Sequence, residues 1–584
     1  MSRRRSLSAL VVSLVAAAGV AVPTGAPASE RVDALDGSEL RAWDEFFGRR
    51  TKPIALQRGL GHVGMRVSTT SALAQSWFDQ GLALLFGYAH EDAIYAFHQA
   101  LEADKGLAMA WWGIAWAYGA NINLAASRER ATSALAAINE AKDLARDRRP
   151  SPREMAYIHA LDGRYQIGFK PLPDKDHEEK DRRGLDIAFF DRMRQLNRAD
   201  PSDVNAAAFT AEAGLDTAPW DQWEPDGTPK GDTEEIVEIL EDALRRDPHH
   251  IGAQHFLIHA LEGSQTPDKA AVAAWRLKSA AFGQPHLVHM PSHIYLRDGD
   301  WGAAMASGED AEAGDVRYRR QNGTNNLFVL SYGSHNMHVQ AWAASMAGRE
   351  RVAVRTARRM RLRVAPYSDN LLGREHFQFY EILMRVRFGQ WHRVLQMSAP
   401  PSVLLGARAM THYARGVAYA KLGKLEAAQR ERAALVALVD RIAGRRSGYP
   451  GLGLNAAPPV LGVALAVLDG RMAWAAGQRA VAVRHFRAAV ALQDRLNYDE
   501  PPTWYFPAGE TLGAALLEMG EYGAAARAFG HALKKFPGDG RALFGLAETL
   551  RRQGTSPDAA GAAAREFAQA WRWADTPLTL DQLL

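Results

Sequence analysis

Residues 77–104 read WFDQGLALLFGYAHEDAIYAFHQALEAD, and residues 510–537 read ETLGAALLEMGEYGAAARAFGHALKKFP. Each stretch carries the signs of two helices joined by a turn. A small residue sits midway along the first helix (Gly81, Gly513) and another early in the second (Ala93, Ala525). Phe97 or Phe529 follows, then Ala100 or Ala532, and Pro537 closes the later unit. Small residues at those places let two antiparallel helices approach closely. The spacing recurs: Ala270 and Ala304, Val394 and Ala428, Ala525 and Ala559, Trp77 and Trp111, and Gly81 and Ala115 all lie 34 residues apart. A fixed period of this length marks a stacked array of helix pairs.

The pattern resembles the tetratricopeptide repeat (TPR) over roughly residues 70–125 and 250–575. The resemblance implies an all-α, right-handed α-solenoid with a concave groove, because each pair leaves an apolar face that a neighbour must cover. Two gaps exceed the period, 49 residues from Ala304 to Ala353 and 43 from Ala482 to Ala525. The second contains YDEPPTWYFP, and residues 215–232 around Trp220 and Trp223 form another irregular loop. Long Pro- and aromatic-rich loops in a compact array are commonly functional lids, so Trp220, Trp223, Trp504 and Tyr505 are candidate groove residues; the alternative is that they pack over solenoid edges. The expected division is a signal peptide (1–28), an N-terminal extension (29–69), first repeats (70–125), a helical insertion with the Trp-rich loop (126–249), central repeats (250–365) and C-terminal repeats (366–584).

Three runs hold six of the nineteen histidines: HFLIHALE (255–262), HMPSHIY (289–295) and SHNMH (334–338). With the small residue of each second helix set as position 20, Ala270, Ala304 and Ala353 fix three successive registers. His255, His289 and His338 then share position 5, His259 and His293 share position 9, Glu262 takes position 12 and His335 position 2. This stripe is rotated by about 100° from the one that packs against the second helix. In TPR proteins it lines the concave groove, so the resemblance implies that all seven face one cavity. First helices of neighbouring repeats lie roughly 8–10 Å apart, within reach of converging imidazoles. Pro291 places His289 near a helix start.

Two histidines one turn apart can chelate an ion from one helix face, and a glutamate a turn further can ligate, orient a ligand or act on bound water. The expected metal ligands are therefore His255, His259, His289, His293, His335 and His338, with Glu262 as the catalytic candidate. Imidazole and carboxylate without thiolate suit a divalent transition metal such as zinc, copper or iron, in one or two ions. The expected chemistry is that of a metal-dependent hydrolase or oxidoreductase acting on a small molecule. The alternative is a non-catalytic scaffold that binds a protein or peptide in the groove.

A narrower resemblance rests on HEDA, AMAWWGIAWAYGANIN, HFLIHALEGS, HLVHMPSHIYLRDGDW and YDEPPTWYFP. Together they look like the signatures of a group of exported bacterial TPR proteins, HxxxHxxE, HMPSHIY and EPPxWY. That resemblance adds His90, Glu91, Asn121 and Asn123 as groove candidates and implies no particular reaction. Relatives usually carry Asn where Ala89 stands here.

The remaining features set bounds. MSRRR followed by a mostly apolar stretch to Val22 and Ala26-Pro27-Ala28 reads as an export signal, giving a periplasmic or extracellular protein without stable membrane insertion after cleavage. The net charge is +4, three units of it from Arg3, Arg4 and Arg5, which leaves no electrostatic footprint for nucleic acid. The chain has no cysteine, so disulfides, thiolate ligands and cysteine nucleophiles are excluded. No GxGxxG following a strand, GxxxxGK(S/T), HExxH or GxSxG motif occurs.

Overall fold

Aromatic rings seated on glycines hold the helix pairs together. A Cβ on Gly81 would lie 2.6 Å from the Phe97 ring, and one on Gly113 would lie 2.5 Å from the same ring. Gly513 and Gly545 flank Phe529 in the same way, at 2.7 and 2.1 Å. Each phenylalanine on a second helix thus fills the gap between its own first helix and that of the next repeat. These are the close approaches that the small residues of the 34-residue pattern require.

The computed structural model describes residues 54–584 except 126, 166–174, 323–326, 371–374, 446–448 and 450. The signal-peptide assignment (1–28) and the first part of the N-terminal extension lie outside the described residues. Among the described residues the fold is all-α, with only isolated β-bridges, and they belong to one compact unit. The series begins with α1 (Ala72–Phe86), α2 (His90–Ala103), α3 (Ala108–Tyr118) and α4 (Arg128–Arg148). It continues with α5 (Pro152–Asp162), α6 (Lys175–Ala199), α7 (Val204–Leu215), α8 (Thr233–Arg246) and α9 (Ile251–Leu261). The stretch expected as an insertion is therefore built of further helices packed in series, α7 against α6, α8 and α9.

The central part comprises α10 (Ala271–Ala280), α11 (Pro285–His289), α12 (Pro291–Asp298), α13 (Trp301–Asn322), α14 (Leu327–Met346), α15 (Glu350–Val364) and α16 (His376–Arg387). The last repeats are α17 (Trp391–Gln396), α18 (Leu405–Lys421), α19 (Leu425–Ala443), α20 (Ala457–Ala475), α21 (Arg479–Gln493), α22 (Ala508–Glu518), α23 (Tyr522–Lys535), α24 (Gly540–Gln553) and α25 (Pro557–Ala570). Here the helices pair in sequence, α18 with α19, α20 with α21, α22 with α23 and α24 with α25, and each pair packs on the next. Gly477 and Gly520 make two of the intervening turns at φ 77° and 79°, a left-handed conformation that a side chain disfavours. No helix of the described residues is long and apolar enough to cross a membrane.

An extended segment, residues 54–69, ties the early helices together and sets the entry to α11. Gln284 donates through Nε2 to the carbonyls of Leu60 (2.7 Å) and Ala83 (3.0 Å). Asn205 donates to Gly64 O at 3.0 Å, and Ser68 N donates to Glu154 at 2.7 Å. The segment therefore bridges α1, α5, α7 and the start of α11.

Candidate metal centre

Four helices carry the histidines. His255 and His259 stand one turn apart on α9, beside Glu262 at its C-terminal end. His286 and His289 lie on α11, and Pro291 opens α12, which carries His293. His289 is the last residue of α11, and Met290 separates it from the Pro291 that opens α12. His335 and His338 lie on α14.

Glu262 is the hub. Its Oε1 accepts from His259 Nδ1 at 2.7 Å, and its Oε2 accepts from His293 Nδ1 at 2.6 Å. Tyr498 reaches in from the loop after α21 and donates its hydroxyl to Oε2 at 2.9 Å. Nδ1 of both histidines carries the donated proton, so in the neutral ring Nε2 is the nitrogen that keeps a lone pair.

Around His293 Nε2 three further donors gather. His289 Nε2 lies 2.8 Å away and Glu500 Oε2 3.1 Å away. Glu500 Oε1 lies 3.1 Å from His335 Nε2. One donor atom from each of His289, His293, His335 and Glu500 falls within 4.8 Å of the others. On the other side of Glu262, His255, His259 and His286 form a second such group. His255 donates Nδ1–H to Phe86 O at 2.7 Å, and its Nε2 faces His286 Nε2 at 3.1 Å.

The electrostatics follow from burial. Desolvation, with help from neighbouring imidazoles, holds His255, His286 and His289 well below the ordinary histidine value. Burial also lowers His259, although Glu262 opposes the shift. Burial likewise works against charge on His293, but Glu262 and Glu500 more than offset it and lift its pKa. The Glu262 carboxyl feels the same desolvation, yet His293 and His259 bring it down to about 2. Glu500 is held well above the carboxylate range by burial, against the pull of His293 and with the push of Glu262 and Asp499.

A cavity of about 240 Å³ adjoins these groups; His255, Glu262 and His289, expected to face it with the others, are not among the residues that line it. His259, His286, His293, His335, His338, Asp499 and Glu500 line it, as do His90, Glu91, Asn121, Asn123 and Trp220. Tyr88, Tyr332, Phe377, Phe379, Tyr380 and His376 supply the aromatic remainder. His90 is buried, and desolvation and Arg130 lower its pKa to about 3. Asn121 closes a turn by accepting from Asn123 N at 2.9 Å. Tyr88 and Trp220 both have positive φ, 56° and 60°, and such backbone strain clusters at functional sites.

Several sequence expectations shift in detail. His338 joins neither of these groups, nor the one that His259, Glu262 and His293 form between them; it stacks edge-on to Tyr380 at 4.2 Å and lies beside His376 at 5.2 Å. Trp223, Trp504 and Tyr505 do not line this cavity. Trp223 donates its indole N–H to Ala260 O at 2.8 Å, bracing α9 from outside. Trp504 and Tyr505 are buried beneath the loop, where the Tyr505 and Tyr413 hydroxyls meet at 2.9 Å. Their neighbours Tyr498, Asp499 and Glu500 make the approach instead. Sequence reasoning missed His286, Glu500 and Tyr498.

The fold defines the class: an all-α solenoid of TPR-type helix pairs. A family model described as tetratricopeptide repeat matches residues 511–572, which covers α22 to α25. No curated protein matches the sequence. The chain is similar in arrangement to the crystal structure of the APC/C hetero-tetramer Cut9–Hcn1, with 12% identity, TM-score 0.28, and 88% of this chain and 96% of that chain covered. For the human IFIT1 dimer with m7Gppp-AAAA the values are 10%, 0.31, 95% and 97%. For yeast Tom70 they are 11%, 0.28, 84% and 99%.

Proposed function

We propose that the chain is an exported TPR protein whose cavity holds a transition-metal centre built from His289, His293, His335 and Glu500. The observation that carries this reading is the 2.8 Å approach of His289 Nε2 to His293 Nε2, with Glu500 Oε2 3.1 Å from the latter. His293 has its proton committed to Glu262, so its bare nitrogen faces a second nitrogen and a carboxylate oxygen. Donor atoms about 3 Å apart are what a first-row ion with ligands at roughly 2.0–2.2 Å gathers around itself. Three imidazoles and a carboxylate suit zinc, copper or iron.

In this reading Glu262 is a positioning residue rather than a base. Both oxygens are occupied by histidine N–H groups, the arrangement by which a carboxylate fixes the tautomer and orientation of metal-binding histidines. The adjoining aromatic-lined cavity would admit a small organic substrate, on which the metal would support hydrolysis or oxidation. The test is elemental analysis of full-length protein beside a His289→Ala/His335→Ala variant. Near-stoichiometric metal that the variant loses is the expected result, and a metal-free wild-type protein purified from its native compartment would sink the proposal.

A second reading, a scaffold for a protein or peptide partner, is favoured by a different observation. The chain's own residues 582–584 lie along the first helices of successive repeats. Arg541 donates to Gln582 O at 3.2 Å and Thr511 to Leu583 O at 2.8 Å, while Arg471 contacts Leu584. These helices can thus hold a short peptide segment through its carbonyls, here one that ends a 3-10 turn, and partner capture that survives the histidine substitutions would favour the scaffold.

A further inference from the structure

We infer that His255, His259 and His286 form a second metal site, next to the first and joined to it through Glu262. The inference extends the metal reading of the first centre and takes from it the premise that Glu262 orients ligands. Its own support lies on the opposite side of that carboxylate.

The three imidazoles come from α9 and α11, and one ring nitrogen of each lies within 4.8 Å of the others. All three side chains are buried. The tautomers of two are fixed: His255 gives its Nδ1 proton to Phe86 O, and His259 gives its own to Glu262. Both Nε2 atoms therefore carry lone pairs. His259 Nε2 is buried and has no hydrogen-bond partner among the described residues, and the same holds for His286 Nδ1.

Protein groups alone close this cluster poorly. His286 can turn an Nε2 proton toward His255 across their 3.1 Å gap, but then its Nδ1 is a second buried lone pair with nothing to accept. His259 Nε2 stays unsatisfied in either tautomer of His286. Buried polar nitrogens are normally paired, so the cluster lacks an electrophile. A cation that accepts several lone pairs at once meets the need.

The donor set defines the class of ion. Three imidazoles, with the Glu262 oxygens engaged by His259 and His293, suit zinc or copper and leave a coordination position for water or substrate. His259 and His286 both border the cavity, so that open position would face the same space as the first centre. The His259 and His293 rings are 5.5 Å apart, and Glu262 spans them with one oxygen each. Two ions would therefore share one bridging outer carboxylate and one substrate cavity.

The experiment is a Co(II) titration of the metal-stripped full-length protein, read by ligand-field absorption and by bound metal after gel filtration. The expected stoichiometry is two for the wild type and one each for His255→Gln/His286→Gln and His289→Gln/His335→Gln. A single Co(II) that survives His255→Gln/His286→Gln would overturn the second site and leave the first intact. A single Co(II) lost in that variant but kept in His289→Gln/His335→Gln would uphold the second and remove the first. No binding in the wild type would remove both. Circular dichroism checks that each variant is folded. If the first variant does not fold, the wild type loaded with Cu(II) decides: a half-field resonance from a coupled copper pair is expected, and its absence at full loading overturns the inference.

Discussion

His293 and Glu262 are joined by a hydrogen bond of 2.6 Å between residues on two different helices, with the carboxylate charge buried at its acceptor end. The bond turns one nitrogen of His293 outward to the cluster that includes Glu500. Glu262→Gln leaves a single acceptor oxygen where two N–H groups need one each, so the amide must present a donor to one of the rings. Metal affinity is expected to fall by roughly 10–100-fold, as for losses of ligand-orienting carboxylates, without loss of the helical fold. Isothermal titration with Zn(II) measures it; unchanged affinity would show that Glu262 does not orient the ligands.

Tyr498 offers a milder perturbation of the same hub. Its hydroxyl donates to Glu262 Oε2 at 2.9 Å, and burial together with Glu262 keeps it protonated by raising its pKa well above the ordinary tyrosine value. Tyr498→Phe removes one of the bonds to a buried carboxylate, an effect of about 1.5–3 kcal/mol on stability. Metal stoichiometry is expected to stay at the wild-type value, because Glu262 keeps both histidine partners. Urea unfolding and elemental analysis read the two quantities separately.

The repeats were legible because their packing is local: Gly81 and Phe97, Gly470 and Phe486, and Gly513 and Phe529 are each sixteen residues apart. The register also extends beyond the three histidine runs. Numbered from their own second helices, His286 and His376 occupy position 2, the same place as His335. All three line the cavity. Glu500 and Tyr498 had no comparable signal. They approach the histidines from a loop that follows α21, and Tyr498 bonds a residue 236 positions earlier, a closure that no period records. In that loop the bulky Trp504 and Tyr505 stand out by residue type, yet their size is what buries them. The acidic residues beside them are the ones presented to the cavity.

Two glycines in the last repeats separate packing from propensity. Gly545 on α24 is buried, and a Cβ there would lie 2.1 Å from the Phe529 ring. Gly530 lies on the exposed side of α23, and a Cβ there would meet nothing within 4 Å. Gly545→Ala is expected to destabilise by about 1–3 kcal/mol through overpacking. Gly530→Ala is expected to stabilise by roughly 0.5–1 kcal/mol, since alanine is the better helix former. Thermal unfolding of the two variants tests the pair, and equal effects would refute the ring-on-glycine account.

Stability should also depend on pH through one buried acid away from the histidines. Asp315 on α13 is buried, and that desolvation lifts its pKa from 3.8 to about 7, against Arg363 and a hydrogen bond from Asn336 Nδ2 at 3.1 Å. Glu312 adds to the rise and Arg319 opposes it. Because the folded state holds this proton more tightly than the unfolded chain, its contribution to stability is fully present below about pH 4 and is lost as pH rises toward 7. The slope from this group alone has an upper limit of about 1.4 kcal/mol per pH unit. Asp315→Asn keeps the shape and cannot ionise, so it should remove that part of the slope and leave the protein more stable than wild type at neutral pH. Urea unfolding of both proteins across the interval measures the difference directly, and parallel curves would mean that Asp315 does not titrate between them.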